Sequence, residues 1–404
     1  MTTSVSRPAD TWSPLYFLAS LGAGGLAVTF FMFLMFWVPH PGQPVPVFED
    51  IMAAFASGGW SIRLAIVLAV TGIAGFAALN IRLLVWNLGQ LAAFRKTDAY
   101  ARLVASNAET QLLAMPLALA MTVNAGFILG LVFVPGLWGV VEYLFPLAML
   151  AFAAIATVAF RRIGAFLGRV LSDGGVFDVT ANNSFAQLLP AFALSMTAVG
   201  MAAPAAMSTV PVTVGVSLVL SVMLGTIAAL YAAVAAVIAL GSMLQHGTAR
   251  ESAPTLMIVV PILTILGIMT LRQDHGLHTT FGAEGGMADA LLLTTAILAV
   301  QGVFLALGLL VLRRQGYARA YLTGEGNSPG AYALVCPGVA LTVMMQFWIN
   351  KGLVAADLIA KFGLAYWSLT GIAVAVQIAM IVLVFHLNRR HFGRRSDGVI
   401  VPAG

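Results

Sequence analysis

The single cysteine of this 404-residue chain, Cys336, is the side chain most suited to covalent chemistry, and it directly precedes Pro337. A thiol can react with an oxidant or with a sulfur or selenium species. This predicts one candidate function, a membrane thiol redox enzyme or sensor. A free cysteine is also often a small, buried and inert residue, and both interpretations stay open. Because there is no second cysteine, a disulfide within one chain is excluded.

A second group of chemically capable residues consists of Asp274, His275 and His278. Their side chains can bind a metal ion, but three residues in one predicted loop are a weak ligand set, so we expect a solvated loop instead. The sequence contains no Walker phosphate loop, dinucleotide fingerprint or nucleophile elbow. We therefore expect no metal, no cofactor and, for the leading interpretation, no enzymatic activity.

The composition shows what kind of scaffold must position these residues. Hydrophobic residues make up 60% of the chain and charged residues only 9%, against roughly a quarter charged in soluble domains. A chain this apolar cannot cover a water-exposed surface, and it is too rich in long apolar runs to be disordered. The sequence therefore predicts an integral membrane protein.

Ten apolar stretches are long enough to cross a bilayer as helices, which takes about 20 residues each. They lie at 14–38, 62–87, 112–134, 138–160, 186–208, 212–240, 253–271, 288–312, 331–350 and 366–387. The first stretch is too long for a signal peptide and lacks a cleavage site of small residues. We predict a cytoplasmic N-terminal segment at 1–13, one ten-helix transmembrane domain at 14–390 and a cytoplasmic tail at 391–404.

The basic residues indicate the orientation of this bundle. All but four of the 20 Lys and Arg residues lie at the termini or in the loops after even-numbered helices, the exceptions being Arg63, Arg272, Lys351 and Lys361. The positive-inside rule then places both termini in the cytoplasm. Since membrane topology accounts for the net charge of +5, no nucleic-acid partner is expected.

Four odd-numbered predicted helices carry an interior proline, namely Pro116, Pro190, Pro261 and Pro337, at separations of 74, 71 and 76 residues. One helical hairpin occupies that length, so the spacing predicts five similar hairpins, with Gly22 among the glycines of the first. Proline kinks a helix, and in a membrane the freed carbonyl is tolerated only against protein or a watery cavity. We expect kinked odd helices inside a quasi-fivefold ring around a central pore. The alternative is that prolines are simply common in membrane helices.

Uncharged polar residues on the same helices support a pore, because hydroxyl and amide dipoles bind a passing ion weakly. Alternatively, they form hydrogen bonds between helices. Ser20, Thr122, Ser195 and Gln346 belong to this polar set. The predicted pore-lining or kink residues are Gly22, Pro116, Asn124, Pro190, Thr197, Pro261, Thr264, Pro337 and Thr342.

One stretch after the fourth helix carries a family resemblance. It reads Asp173-Gly174-Gly175-Val176-Phe177, then Ser184-Phe185, then Leu189-Pro190-Ala191. This series resembles the same stretch in TehA-type proteins of the tellurite-resistance/dicarboxylate transporter family, to which plant slow anion channels also belong. Supporting similarities are Tyr16-Phe17 with Leu21-Gly22, Pro116, and Arg250 with Ile258-Val259-Val260-Pro261. The Cys-Pro pair is also similar to the TsoY family of bacterial membrane proteins.

The resemblance implies five hairpins around a pore, a homotrimer, and an anion channel or facilitative transporter for small inorganic or organic anions in the bacterial inner membrane. In the family a phenylalanine on the ninth helix plugs the pore. The corresponding window here, Tyr332 to Pro337, contains no phenylalanine. Tyr332, Leu334 and Cys336 are therefore the predicted gate or constriction residues.

Overall fold

The computed structural model describes residues 9–174, 176–181, 183–284 and 287–392. The described residues are 83% helical and contain no strand. Within these residues, ten helices are long and apolar enough to cross a membrane. The predicted number of spans is confirmed, and the architecture is that of an all-α, multi-pass membrane protein.

We number these helices span 1 to span 10 in chain order. They are Pro14–Trp37, Trp60–Phe94, Asn107–Phe133, Leu137–Ser172, Phe185–Met207, Pro211–His246, Ala253–Phe281, Asp289–Arg314, Pro329–Val354 and Leu364–Phe392. Several are longer than their apolar stretches, because helical hydrogen bonding continues into the polar flanks. Span 7 was expected to end at 271 but continues to Phe281, so the predicted loop with Asp274, His275 and His278 is wrong.

The odd-numbered spans are the buried ones. Between 50% and 94% of the most apolar window of each odd-numbered span is buried, against 22% to 33% for the even-numbered spans. Large apolar side chains such as Val85, Leu230 and Val303 are exposed on even-numbered spans. The odd-numbered spans therefore form the interior of the bundle, and the even-numbered spans provide an apolar outer surface suited to lipid.

Every odd-numbered span begins with a short 3-10 helix preceded by serine. The five serines are Ser13, Ser106, Ser184, Ser252 and Ser328. Four of them accept a hydrogen bond through their side chain from the backbone N–H two residues later, and the carbonyl of Ser252 accepts one from Thr255. These bonds satisfy donors that a helix start leaves unpaired, so the same structural solution recurs five times.

The prolines do not kink continuous α-helices, and that expectation is wrong. The α-helices of spans 3, 5, 7 and 9 begin at Ala114, Leu189, Val259 and Val335, directly after the 3-10 segments. Pro116, Pro190, Pro261 and Pro337 therefore lie at the second or third α-helical position. A missing N–H costs little in the first turn of a helix, so proline marks the change of helix type.

Spans 1, 2 and 3 are joined by a buried polar cluster centred on Asn80. The amide nitrogen of Asn80 donates to the carbonyl and the hydroxyl of Ser20, at 2.7 and 3.0 Å. Its amide oxygen accepts a hydrogen bond from Thr122 at 2.9 Å, and Ser20 donates to the Asn80 carbonyl. The hydroxyls of Ser20 and Thr122 therefore form hydrogen bonds between helices, which is the alternative to a pore-lining role for these polar residues.

Glycines let span 1 approach span 9 closely. A Cβ atom on Gly22 would lie 2.9 Å from Val335, and one on Gly25 would lie 2.8 Å from Val339. Both distances are shorter than side chains tolerate, so larger residues would force the two spans apart. The two elements are more than 300 residues apart in the chain, and this packing brings its first and last hairpins together.

Shorter elements complete the fold. A helix at Phe48–Ser57 links spans 1 and 2, and another at Asp98–Val104 links spans 2 and 3. In the predicted N-terminal segment, the indole of Trp12 donates to Asn87 at 3.3 Å. The last helix extends two residues beyond the predicted boundary at 390, and His391 is buried beside Tyr16. Residues 1–8 and 393–404, which include most of the predicted termini, lie outside the described residues.

We predict that Asn80→Leu lowers the free energy of unfolding by about 1–3 kcal/mol, because it removes the buried hydrogen bonds that join the Asn80 amide to Ser20 and to Thr122. Thermal unfolding of the purified protein in one detergent measures the change. Thr197→Val is the control, since the Thr197 hydroxyl is bonded only to Ala193 of its own helix. Equal stability of Asn80→Leu and the wild type would contradict the central role of this cluster.

Candidate functional site

The bundle contains a cavity of about 710 Å³ whose walls come mainly from the odd-numbered spans. We call the side of the bundle where these spans begin the N-face, and the side where they end the C-face. The cavity extends from Gly22, Pro261 and Cys336 in the interior to His278 and Lys351 near the ends of spans 7 and 9. We therefore call it the C-face cavity.

A second cavity of about 310 Å³ lies on the other side of the same interior level. Its walls include the 3-10 helices at the starts of the spans, with Ser13, Ser252 and Gly330 among the lining residues, so we call it the N-face cavity. The two cavities share three lining residues, Phe192, Pro261 and Cys336. These three residues, called the partition below, lie between the two cavities.

Phe192 is the largest side chain of the partition. The α-helix of span 5 begins at Leu189, so Phe192 lies in its first turn, two residues after Pro190. It is 3% exposed, and Cys336 is 8% exposed. The Cys336 thiol is free, as expected for the only cysteine. Of the three partition residues, Cys336 is small and Pro261 is rigid. A rotamer change of Phe192 is therefore the movement that can change the width of the connection between the two cavities.

Arg272 is the principal charge on the wall of the C-face cavity. Its guanidinium donates to the carbonyl of Val199 at 2.7 Å. That carbonyl lies in the last turn of the helix Leu189–Met201, where span 5 breaks before Ala203 and carbonyls lack helical partners. Among the described residues the one ion pair joins Arg169 and Glu109, so Arg272 has no carboxylate partner there. Since arginine remains protonated, its positive charge is available to the cavity.

The mouth of the C-face cavity carries further ionisable groups. Asp274, His275, His278, His40 and Lys351 line it. With neutral histidines, Arg272 and Lys351 outweigh Asp274 by one positive charge. The pKa of Lys361, which precedes span 10, lies below its usual value because the group is partly buried and close to the charge of Lys351. Positive charge is therefore concentrated at this mouth, which favours the approach of anions.

Six of the predicted residues lie on cavity walls. Gly22, Asn124, Pro261, Thr264 and Cys336 line the C-face cavity, and Pro337 lines the N-face cavity together with Cys336. The structure thus brings together residues from spans 1, 3, 7 and 9 that the sequence analysis had selected separately.

The other predicted residues lie elsewhere. Pro116, Pro190, Thr197 and Thr342 line neither cavity. The Thr342 hydroxyl donates to the carbonyls of Gly338 and Ala373, so it connects spans 9 and 10.

Two of the three predicted gate residues also line neither cavity. Tyr332 is completely buried and donates to Asn388 at 2.8 Å, and Leu334 packs in an apolar cluster with Met257 and Tyr317. Only Cys336 of the three lies between the two cavities.

Sequence reasoning missed Phe192 and Arg272. Phe192 directly follows the Leu189-Pro190-Ala191 motif, but a blocking phenylalanine was sought only on the ninth span. Arg272 was assigned to a loop, because the predicted span 7 ended one residue earlier. If the predicted helix had been extended to Phe281, Arg272 would have been part of span 7, with its guanidinium on the inner side of the bundle.

Metal chemistry has little support from the cluster at the mouth. Within the described part of the chain, no group of three or more His, Cys, Asp or Glu side chains is arranged to hold a metal ion. His278 instead contacts the carbonyl of Ala283 through Nδ1, at 2.8 Å.

A comparison of the sequence with models of known protein families gives no match, and a comparison with curated proteins gives no significant match. The site must therefore be interpreted from its own residues.

We predict that Phe192→Ala increases the rate at which Cys336 reacts with a small water-soluble methanethiosulfonate at least tenfold. Phe192 and Cys336 both lie between the two cavities, so removal of the ring widens the access to a thiol that is only 8% exposed. Mass spectrometry of the intact protein measures the rate, and the single cysteine makes the labelling site-specific. Phe76→Ala is the control, since Phe76 is buried against Phe30 and Phe385 and lines neither cavity. An unchanged rate in Phe192→Ala, or the same increase in both variants, would show that Phe192 does not separate the cavities.

Proposed function

We propose that this protein is an anion channel or facilitative anion transporter with a path through each subunit. The observation that carries the proposal is Arg272, a cation without a carboxylate partner among the described residues, on the wall of a large cavity inside the bundle. A charge of this kind inside a membrane bundle marks a site where an opposite charge binds or passes.

The packing of the inner spans supports a ring of five hairpins. Span 1 packs against span 3, span 3 against span 5, span 5 against span 7, span 7 against span 9, and span 9 against span 1. The 3-10 helices that begin these spans contact one another in the same cyclic order. We infer that the five odd-numbered spans surround a central path and that each even-numbered span packs outside its partner.

The proposed path runs from the C-face cavity through the partition to the N-face cavity. An anion that enters at Lys351 and Arg272 exchanges part of its hydration for the guanidinium, which offsets the cost of entering an apolar cavity. Passage requires the ring of Phe192 to move away from Cys336 and Pro261. The Asn124 amide provides an uncharged hydrogen-bond donor on the wall of the C-face cavity, so binding there is weak enough for release.

The N-face cavity contains a carboxylate that a passing anion must approach. Glu251 lines this cavity and accepts a hydrogen bond from the Ser328 hydroxyl at 2.7 Å. That bond stabilises the carboxylate at the wall. The opposite signs of Arg272 and Glu251 make the C-face cavity the site of anion accumulation in our proposal.

The remaining parts of the proposal come from the sequence. We propose that the N-face is cytoplasmic, with both termini on that side of a bacterial inner membrane, in agreement with the positive-inside rule. We also propose a homotrimer, which the family resemblance implies. Native mass spectrometry from detergent measures the subunit number, and a monomer or dimer would contradict the trimer.

We predict that Arg272→Gln reduces chloride and nitrate flux into proteoliposomes on the order of tenfold, because the local anion concentration falls with the loss of the positive charge. Glutamine is uncharged and keeps a hydrogen-bond donor at this position. Flux is measured with an anion-sensitive dye trapped inside the vesicles.

Arg63→Gln is the matched control. It removes the same charge near the C-face, but Arg63 is exposed, donates only to Ala56 and lines neither cavity. No flux of chloride, nitrate, sulfite, tellurite or dicarboxylates through the wild-type protein would refute the proposed function, and equal flux in both variants would refute the role of Arg272.

The thiol function is the second candidate, and it is favoured by the position of Cys336 between the cavities. If Cys336 only occupies space, Cys336→Ser retains wild-type flux within about twofold, and the serine variant becomes insensitive to thiol reagents that block the wild type by adding bulk. Loss of flux in Cys336→Ser with an unchanged thermal unfolding temperature would instead support chemistry at the thiol.

A further inference from the structure

The C-face cavity has two chemically different zones. Near its mouth, Arg272, Asp274 and Lys351 provide charged groups. Deeper, towards the partition, the walls are largely apolar. The deep zone includes Met121, Met196, Ile265, Ile268, Val339 and Val343. Charged and apolar surfaces are therefore separated along the length of one cavity.

The size of the cavity exceeds the needs of a small inorganic anion. Its volume of about 710 Å³ falls within the range of pockets that bind organic small molecules. In the deep zone a chloride ion would lose hydration against mainly apolar side chains, with few hydrogen-bond donors to replace the lost water. An apolar group placed there would instead gain about 0.8 kcal/mol for each buried methylene.

Arg272 is prepared to hold a carboxylate at the boundary of the two zones. One N–H of its guanidinium is fixed by the Val199 carbonyl, which restricts the side chain. Among the described residues, no other residue accepts a hydrogen bond from its remaining N–H groups. Guanidinium binds carboxylates through two parallel hydrogen bonds. Because span 7 runs from Pro261 at the partition to His278 at the mouth, Ile265 and Ile268 lie on the inner side of Arg272.

We propose that the C-face cavity binds an amphipathic monoanion, a carboxylate whose apolar chain places about six to ten carbons inside the cavity. The carboxylate pairs with Arg272 and the apolar body extends towards Phe192. The inference names a substrate class for the path described above and rests on that function only in treating the ligand as transported. Free carboxylates in water and fatty acids from the membrane share this chemistry.

The test measures binding by calorimetry to the full-length protein in nanodiscs, with empty nanodiscs subtracted. We expect octanoate to bind more tightly than hexanoate, by about fourfold for each added methylene, and acetate not to bind measurably. Octanol, which has the same chain without the charge, should bind at least tenfold more weakly than octanoate. Equal affinities for octanoate and octanol would overturn the role of the cation.

Substitutions of Arg272 and Ile268 test whether octanoate binds in the cavity, and a substitution of Arg63 is the surface control. Arg272→Gln should weaken octanoate binding at least tenfold, whereas Arg63→Gln should leave it unchanged. Ile268→Asn places a polar group in the deep zone and should weaken octanoate at least fivefold with little effect on acetate. Each variant is used only if its thermal unfolding temperature lies close to that of the wild type, and Arg272→Lys replaces Arg272→Gln if the latter does not fold.

The source of the ligand is resolved by comparing octanoate, added from water, with palmitate, incorporated into the nanodisc bilayer. Tighter binding of octanoate indicates a dissolved carboxylate, and tighter binding of palmitate indicates a membrane fatty acid; each result supports the site. If neither compound shows binding that depends on Arg272, the inference is overturned, even if chloride flux persists. Octanoate binding without flux of any anion would overturn the proposed function and leave the binding site standing.

Discussion

Inside an apolar layer, every backbone N–H and C=O must find a partner, and this constraint determines how the inner helices are built. Each odd-numbered span changes from a 3-10 helix to an α-helix, a step that leaves donors and acceptors exposed. In four of the five spans, a serine precedes the 3-10 segment and a proline, which has no N–H to satisfy, lies in the first turn of the α-helix that follows. At the break in span 5, Arg272 and Ser217 supply the missing donors to the carbonyls of Val199 and Met201.

The same break explains why a charged side chain belongs in this bundle. A guanidinium next to apolar walls is expensive unless a carbonyl or an anion offsets its charge. The Val199 carbonyl accepts from only part of the group. In our proposal the remaining N–H groups bind the anion, so that one residue combines a structural role and a binding role.

The sequence predicted the number of spans, because length and apolarity alone set that number. It also predicted the buried odd-numbered spans, because the prolines recur at the length of one hairpin. It did not predict that Pro261 and Pro337 lie in the first turn of their α-helices, because the 3-10 segments that precede these turns are not evident in the sequence. Phe192 and Arg272 were missed because the partition depends on which side chains meet across spans, and a single sequence carries no information about such meetings. The roles of Tyr332 and Leu334 were misjudged for the same reason.

The contact of Gly22 and Gly25 with Val335 and Val339 has a consequence for biogenesis. Span 1 leaves the ribosome first, yet one of its main packing surfaces is synthesised more than 300 residues later. During most of translation this glycine-rich face must rest against lipid or against the insertion machinery, and the cavities do not yet exist. Premature release of a nascent chain lacking the last hairpin would therefore leave an open, incompletely packed bundle, which is a natural substrate for membrane quality control.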